Sequence, residues 1–157
     1  MADALELELD VKGAKEVTAM LRNVGADVSD LKGAMADVGD HARKYFGGQV
    51  FASRGGVLGQ PWRRLSPNYA AQKAKRYPGR PVLVRSGLMQ RSFRSTPSAM
   101  SVTISNDAPW FKYHQSSAAR RRRIPRRVMI GVYNGMQDDV TKIIASALAK
   151  KIKRSAG

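Results

Sequence analysis

The stretch VLVRSGLMQRSFRSTPSAMSVTISND (82–107) decides the fold class. Within it, Val102 and Ile104 alternate with Ser101, Thr103 and Ser105. A period of two places the apolar side chains on one face of a strand and the hydroxyls on the other. Phe93 to Thr96 come before it, and Pro97-Ser98-Ala99 supplies the turn, so the two segments predict an antiparallel hairpin. Ser86-Gly87 makes the turn that leads in. A lone hairpin is marginal in water, so its apolar face needs further strands and a covering helix.

Both are present to either side. In ALELELDV (4–11), Leu5, Leu7, Leu9 and Val11 share one face and Glu6, Glu8 and Asp10 the other, the pattern of a half-buried strand. Lys12-Gly13 breaks it. Val17, Met20, Leu21 and Val24 then follow helical spacing, with Gly25 as a stop. A second helix is predicted from about Asp27 to about Phe51. Its stripe is Val28, Leu31, Met35, Val38, Ala42, Tyr45 and Phe46, suited to cover a sheet. Gly47 and Gly48 each cost about 1 kcal/mol relative to alanine and predict a bend or an end near Gly47. Far downstream, Met136, Val140, Ile143, Ile144, Leu148 and Ile152 predict a helix from about Gly135. Asp138 and Asp139 near its start, with Lys150, Lys151, Lys153 and Arg154 near its end, complement the helix dipole.

The middle is irregular. SRGGVLGQPWRRLSPNY (53–69) predicts a long loop with Trp62 and Leu65 packed inward. Ser66 and Pro67 suit the cap and the first position of a short helix, NYAAQKAKR, which YPGRP (77–81) stops. APWFKYHQ (108–115) predicts a helical turn opening at Pro109, and SSAARRRRIPRR (116–127) a charged loop. Val128 to Val132 predicts one more short strand. The sum is a single α+β domain: a small, mainly antiparallel sheet packed against long helices, with long loops. Its parts are an N-terminal strand and helices (4–51), a loop-rich middle (52–81), strands and a basic loop (82–132) and a C-terminal helix (135–153).

At 157 residues and 43% hydrophobic, the chain can bury a core. No apolar run approaches the roughly 18 residues that a membrane helix needs, so no membrane partner is expected. It contains no cysteine, which removes disulfides, thiolate metal sites and a cysteine nucleophile. The net charge is +16, from 28 lysines and arginines against 12 acids, and it is unevenly placed. Residues 1–50 hold nine acids and six bases; residues 51–157 hold three acids and 22 bases. Beside a plain solvated basic surface, two physical readings follow. The basic part attracts nucleic acid by counterion release, or the acidic part of one copy meets the basic part of the next.

The inventory for chemistry is poor. The two histidines are His41, on the long predicted helix near acids, and His114, among aromatics beside the basic loop. A surface position for the first, and packing or a subunit contact for the second, explain them without catalysis. Asp138 and Asp139 already serve a helix start, and neighbours on a helix point in different directions. Metal-protease, phosphate-loop and dinucleotide motifs are absent, and no oxygen or imidazole ligands cluster, so no cofactor, no metal and no enzymatic activity are expected. The positive features suit binding. Arg120, Arg121, Arg122, Arg123, Arg126 and Arg127 place six arginines in eight positions, either a run that meets DNA phosphates or a neighbouring subunit's carboxylates, or a surface run with no specific partner. Trp62, Trp110, Phe111 and Tyr113 sit near bases; such aromatics can stack nucleobases, but in a small domain they more often form core.

Five signposts recur in order: GQPWRRLSPNYAAQK, PVLVRSGLMQRSF, a Ser/Thr-rich strand pair ending SND, APWFKYHQ and RIPRRVMIG. Together they resemble the phage virion-morphogenesis family, the tail-completion proteins of tailed phages with their neck and tail-terminator relatives. The matching residues are Gly59, Trp62, Leu65, Ser66, Pro67 and Lys73; Leu83, Ser86, Gly87, Leu88 and Ser92; Phe111, His114 and Gln115; and Ile124, Pro125, Arg127 and Gly131. Ser116-Ser117 replaces the glycine usual after His-Gln, and Val128-Met129 the usual aromatic. The resemblance implies a structural subunit of the virion tail or neck, assembled in the host cytoplasm. It further implies a homo-oligomeric ring, of six copies, that caps the tail tube and meets the head connector. Contact with genomic DNA in the neck channel is the alternative. On this reading Arg120 to Arg123, Arg126, Arg127 and His114 serve interfaces, while Trp62, Leu65, Pro67, Gly87, Leu88, Phe111 and Pro125 hold the framework.

Overall fold

A computed structural model describes residues 6–10, 31–116, 124–155 and 157. In chain order the elements are strand β1 (Leu7–Asp10), helix α1 (Lys32–Tyr45), helices α2 (Pro67–Arg76) and α3 (Leu88–Arg91), strands β2 (Phe93–Pro97) and β3 (Ser101–Asn106), and helices α4 (Phe111–Gln115) and α5 (Met136–Ser155). The architecture is α+β, as expected. The first predicted helix, around Val17 to Gly25, lies outside the described residues.

The expected hairpin forms with Phe93 opposite Asn106 and Thr96 opposite Thr103. Its turn is closed by Ser98, whose N–H reaches the Ser101 carbonyl at 2.7 Å and whose hydroxyl accepts the Ser101 N–H at 3.1 Å. β1 joins the other side of β3, antiparallel, with Leu7 opposite Ile104 and Leu9 opposite Val102. The order is therefore β1-β3-β2. Val102 and Ile104 are fully buried on the central strand while the intervening hydroxyls remain half-exposed.

α1 covers β2 and β3, and α5 packs on α1. Gly39 sets the approach of helix to sheet: a methyl there would lie 2.7 Å from Ser95 Cβ and 2.9 Å from a Val102 methyl. Met35, Val38, Ala42 and Phe46 bury the α1 stripe in the core. The expected disturbance near Gly47 is a single wide turn over Phe46–Val50, a π-helical insertion of the kind that shifts the phase of the residues beyond it. The Gly47 carbonyl accepts a 2.8 Å bond from the Gln90 side chain, which ties α3 to this turn. Leu31 and Ala34 form a smaller cluster with Met100, Ala147 and Leu148 where α5 crosses the start of α1.

The expected strand at Val128 to Val132 is not one. Val128, Met129 and Ile130 are buried, but they belong to no sheet. Side chains satisfy their backbone instead. Gln115 Oε1 accepts the N–H groups of Met129 (2.8 Å) and Ile130 (3.1 Å), Gln115 Nε2 donates to the Ile130 carbonyl (2.7 Å), and Trp62 Nε1 donates to the Val128 carbonyl (2.8 Å). Buried main-chain groups must find partners, and a strand ladder is only one source of them. Val132 faces outward at 73% exposure.

Candidate functional site: a cationic cleft with apolar walls

An open cleft of about 520 Å³ lies among the described residues. α2 contributes Tyr69 and Lys73, the loop before it Leu65, and the turn before α3 Leu83, Arg85, Ser86 and Gly87. Leu88 and Met89 of α3, Trp110 and His114 around α4, and Arg127 complete it.

Local conformations explain how these residues meet. Ser66 is extended and Pro67 opens α2, as the sequence predicts, although the Ser66 hydroxyl makes no capping bond. From α2, the Lys73 ammonium reaches the Pro81 carbonyl in a short contact, while the Val84 N–H reaches the same carbonyl at 3.1 Å. This knot holds Leu83 at φ +62°, a left-handed conformation that costs a branched side chain of order 1–3 kcal/mol. Gly87, at φ +79°, provides the second left-handed position and starts α3.

The electrostatics are unusual. Lys73 and Arg127 are 7% and 5% exposed, and neither has a carboxylate partner among the described residues. The Arg127 guanidinium donates through Nε and Nη2 to one acceptor, the Arg63 carbonyl, at 3.1 and 2.9 Å. Burial and then the Arg127 charge lower the Lys73 pKa; burial and then the Arg63 charge lower that of Arg127, against a smaller opposing effect of Tyr69. Two like charges thus share a poorly solvated floor.

The expected interface residues fall in different places. Arg120 to Arg123 lie outside the described residues. Arg126 is exposed and donates from Nε to the Gln115 carbonyl at 3.0 Å. Arg127 does not share the exposure of Arg126: it turns inward to the Arg63 carbonyl. His114 is half-buried in the cleft wall, and its carbonyl accepts the Arg127 N–H at 2.8 Å. Among the framework residues, Trp62 and Phe111 are buried and stand edge-on to Phe51 (5.2 Å between centroids) and Phe93 (6.1 Å). Leu65 and Pro125 are half-buried, and Pro67 is an exposed helix start. Leu88 is a correction: it is 40% exposed, because the single turn of α3 gives its core-facing position to Met89. Trp110 and Tyr113, expected in the core, are 42% and 47% exposed.

His41 is only partly exposed. Its Nε2 lies 2.9 Å from the Tyr133 hydroxyl, which donates at 2.9 Å to Asp139 Oδ2 and stacks on Tyr45 at 3.8 Å between ring centroids. Burial and the Asp139 hydrogen bond push the Tyr133 pKa up, so the phenol stays protonated. The network fastens α5 to α1. Among the described residues, no cluster of three or more histidines and acids could hold a metal, and no helix is long and apolar enough to cross a membrane.

Eight of the residues behind the sequence resemblance line this one cleft: Leu65, Lys73, Leu83, Ser86, Gly87, Leu88, His114 and Arg127. Trp62, Phe111 and Gln115 are buried instead: Trp62 and Gln115 bond the Val128 and Ile130 carbonyls, and Phe111 meets Phe93 edge-on. Fold and site together define a small α+β domain in which the residues behind the resemblance line one cleft. The model of the phage virion morphogenesis family matches residues 12–150, and the chain belongs to that family, whose proteins serve phage virion assembly. No curated protein and no solved structure matches it.

Proposed function

We propose that the chain is a non-enzymatic, ring-forming subunit of the tail-completion or tail-terminator type, capping the tail tube at its head-proximal end and meeting the head connector. The observation that carries this reading is the convergence of the family's signature residues on a cleft shaped for contact, walled by leucines and aromatics. The charge split along the chain suits head-to-tail contacts between copies, which close into a ring when the rotation permits. Arg120 to Arg123 then serve a neighbouring copy or a connector protein.

Electron microscopy of the purified protein, alone and with isolated tail tubes, tests this directly. Closed rings, and tubes capped at one end, are expected. A stable monomer that ignores tube ends and is absent from purified particles would refute it. Replacing Arg120 to Arg123 by serine should leave a folded chain that fails to complete tails; tails of normal length would remove those arginines from the interface.

A second reading, contact with genomic DNA in the neck, is favoured by the 22 bases against three acids in residues 51–157. It requires tight duplex binding with a steep salt dependence.

A further inference from the structure

Among the described residues, the cleft lacks a counter-charge. Lys73 and Arg127 line it from a buried position, Arg85 lines it from its edge, and no carboxylate of the described chain pairs with any of the three. Their acceptors are neutral: the Pro81 carbonyl, the Arg63 carbonyl and the Tyr77 hydroxyl, the last at 2.7 Å from Arg85 Nε. An arginine has five N–H donors, and Arg127 uses two of them on the Arg63 carbonyl among the described residues. Exposed apolar surface flanks these cations, with Leu88 40% and Trp110 42% accessible and Tyr69 52%.

Each half of that description narrows the occupant. The unmatched cations call for an anion, and a planar guanidinium suits a carboxylate. The apolar rim calls for a large hydrophobic side chain next to it. A DNA backbone provides phosphate and sugar but nothing to cover Leu88 and Trp110. A second copy of this chain offers nine acids in residues 1–50. An acidic partner protein meets both requirements.

We propose that this cleft is the docking site for a peptide segment of a different, acidic virion protein, recognised through a carboxylate set beside a large apolar side chain. The inference rests on the structural reading above and specifies one of its contacts. The apolar side chain covers Leu88 and Trp110 at the rim. The carboxylate reaches the Arg127 and Lys73 floor, with Arg85 completing its surroundings.

A displayed library of short random peptides, selected on the full-length protein, tests the proposal whatever the partner's sequence. Enriched sequences should carry Asp or Glu beside Leu, Ile, Phe or Met. A synthetic peptide of the leading sequence should bind at least about tenfold more weakly to the Leu88→Ser/Trp110→Ser protein, and so should its glutamine counterpart to the wild type. Both substituted side chains lie outside the buried core, at 40% and 42% exposure, so circular dichroism should show an intact fold. Failure to enrich, enrichment without acids, or equal binding by the rim variant overturns the proposal. So does a short DNA duplex that displaces the peptide and loses affinity with the same variant, since the cleft would then be a phosphate site. A synthetic peptide of residues 1–50 that binds the cleft as tightly as the selected peptides would make the chain its own partner and overturn the assignment to a different protein. Particle composition separates the two levels: a protein present in virions whose cleft selects no acidic peptide loses this inference alone. One that selects such peptides but never enters particles loses the tail-completion reading instead.

Discussion

Gln115 holds Ile130 from both sides of its peptide: the side-chain Nε2 donates to the Ile130 carbonyl at 2.7 Å, and Oε1 accepts the Ile130 N–H at 3.1 Å. The same oxygen takes the Met129 N–H at 2.8 Å. One buried amide therefore does for a segment of chain what a neighbouring strand does elsewhere. Gln115→Leu preserves bulk but strands three main-chain groups, and a loss of about 2–4 kcal/mol is expected from their desolvation. Urea denaturation of the two proteins measures it; a difference below experimental error would mean that the segment finds other partners.

Trp62 contributes both volume and a hydrogen bond, and two substitutions separate them. Trp62→Phe removes the 2.8 Å bond to the Val128 carbonyl and should cost about 1–3 kcal/mol. Trp62→Ala also empties the space against Phe51 and should cost about 3–5 kcal/mol. Equal losses in thermal unfolding would show that what both variants lack, the indole and its hydrogen bond, carries the effect and that the further emptied space costs nothing.

Two glycines of α1 should respond oppositely to alanine. At Gly39 the added methyl collides with Ser95 and Val102, forcing helix and sheet apart at a cost of about 1–3 kcal/mol. At Gly33 it meets open space, and the better helix propensity should leave stability unchanged or raise it by up to about 1 kcal/mol. A comparison of melting temperatures decides the matter, and a stable Gly39→Ala protein would contradict the close packing described.

Lys73 gives a pH signature. Burial, then the charge of Arg127, hold its pKa below the ordinary 10.5. Between the lowered value and 10.5 the unfolded chain binds the extra proton, so stability attributable to this group rises with pH across that window. Below the window the buried charge exacts its full penalty. Lys73→Met removes the effect, so the gap in urea midpoint between variant and wild type should change steadily as pH is raised towards 10.5, moving in favour of the wild type. A gap that stays constant across the range would mean that Lys73 titrates as it does in the unfolded chain.

How much is legible in the sequence depends on the range over which the deciding contacts act. The β2–β3 hairpin and α5 are readable because alternation and three-to-four spacing are local. The wide turn at Phe46–Val50 is foreshadowed by Gly47-Gly48. Val128 to Val132 misleads because its apolar character is real while its partners, Gln115 and Trp62, lie 14 and 66 residues away for the bonds concerned. Arg126 and Arg127 look alike in a run of arginines, yet one is exposed and the other is buried on a carbonyl 64 residues distant. The cleft has no periodic signature at all. Its members stand out singly through the family resemblance, and only the fold reveals that Lys73 and Arg127 share a floor or that Leu83 is held left-handed beside them.

The sheet order has a consequence for biosynthesis. β1 leaves the ribosome early, yet its register with β3 joins residues far apart in the chain, Leu7 to Ile104. Throughout that interval its leucines lack their hydrogen-bonded neighbour, and closure of so long a loop is slow. The β2–β3 hairpin, with its short connection, should acquire amide protection first, and β1 should dock onto a surface already prepared for it. Pulse-labelled hydrogen exchange during refolding would display that succession, and simultaneous protection of all three strands would contradict it.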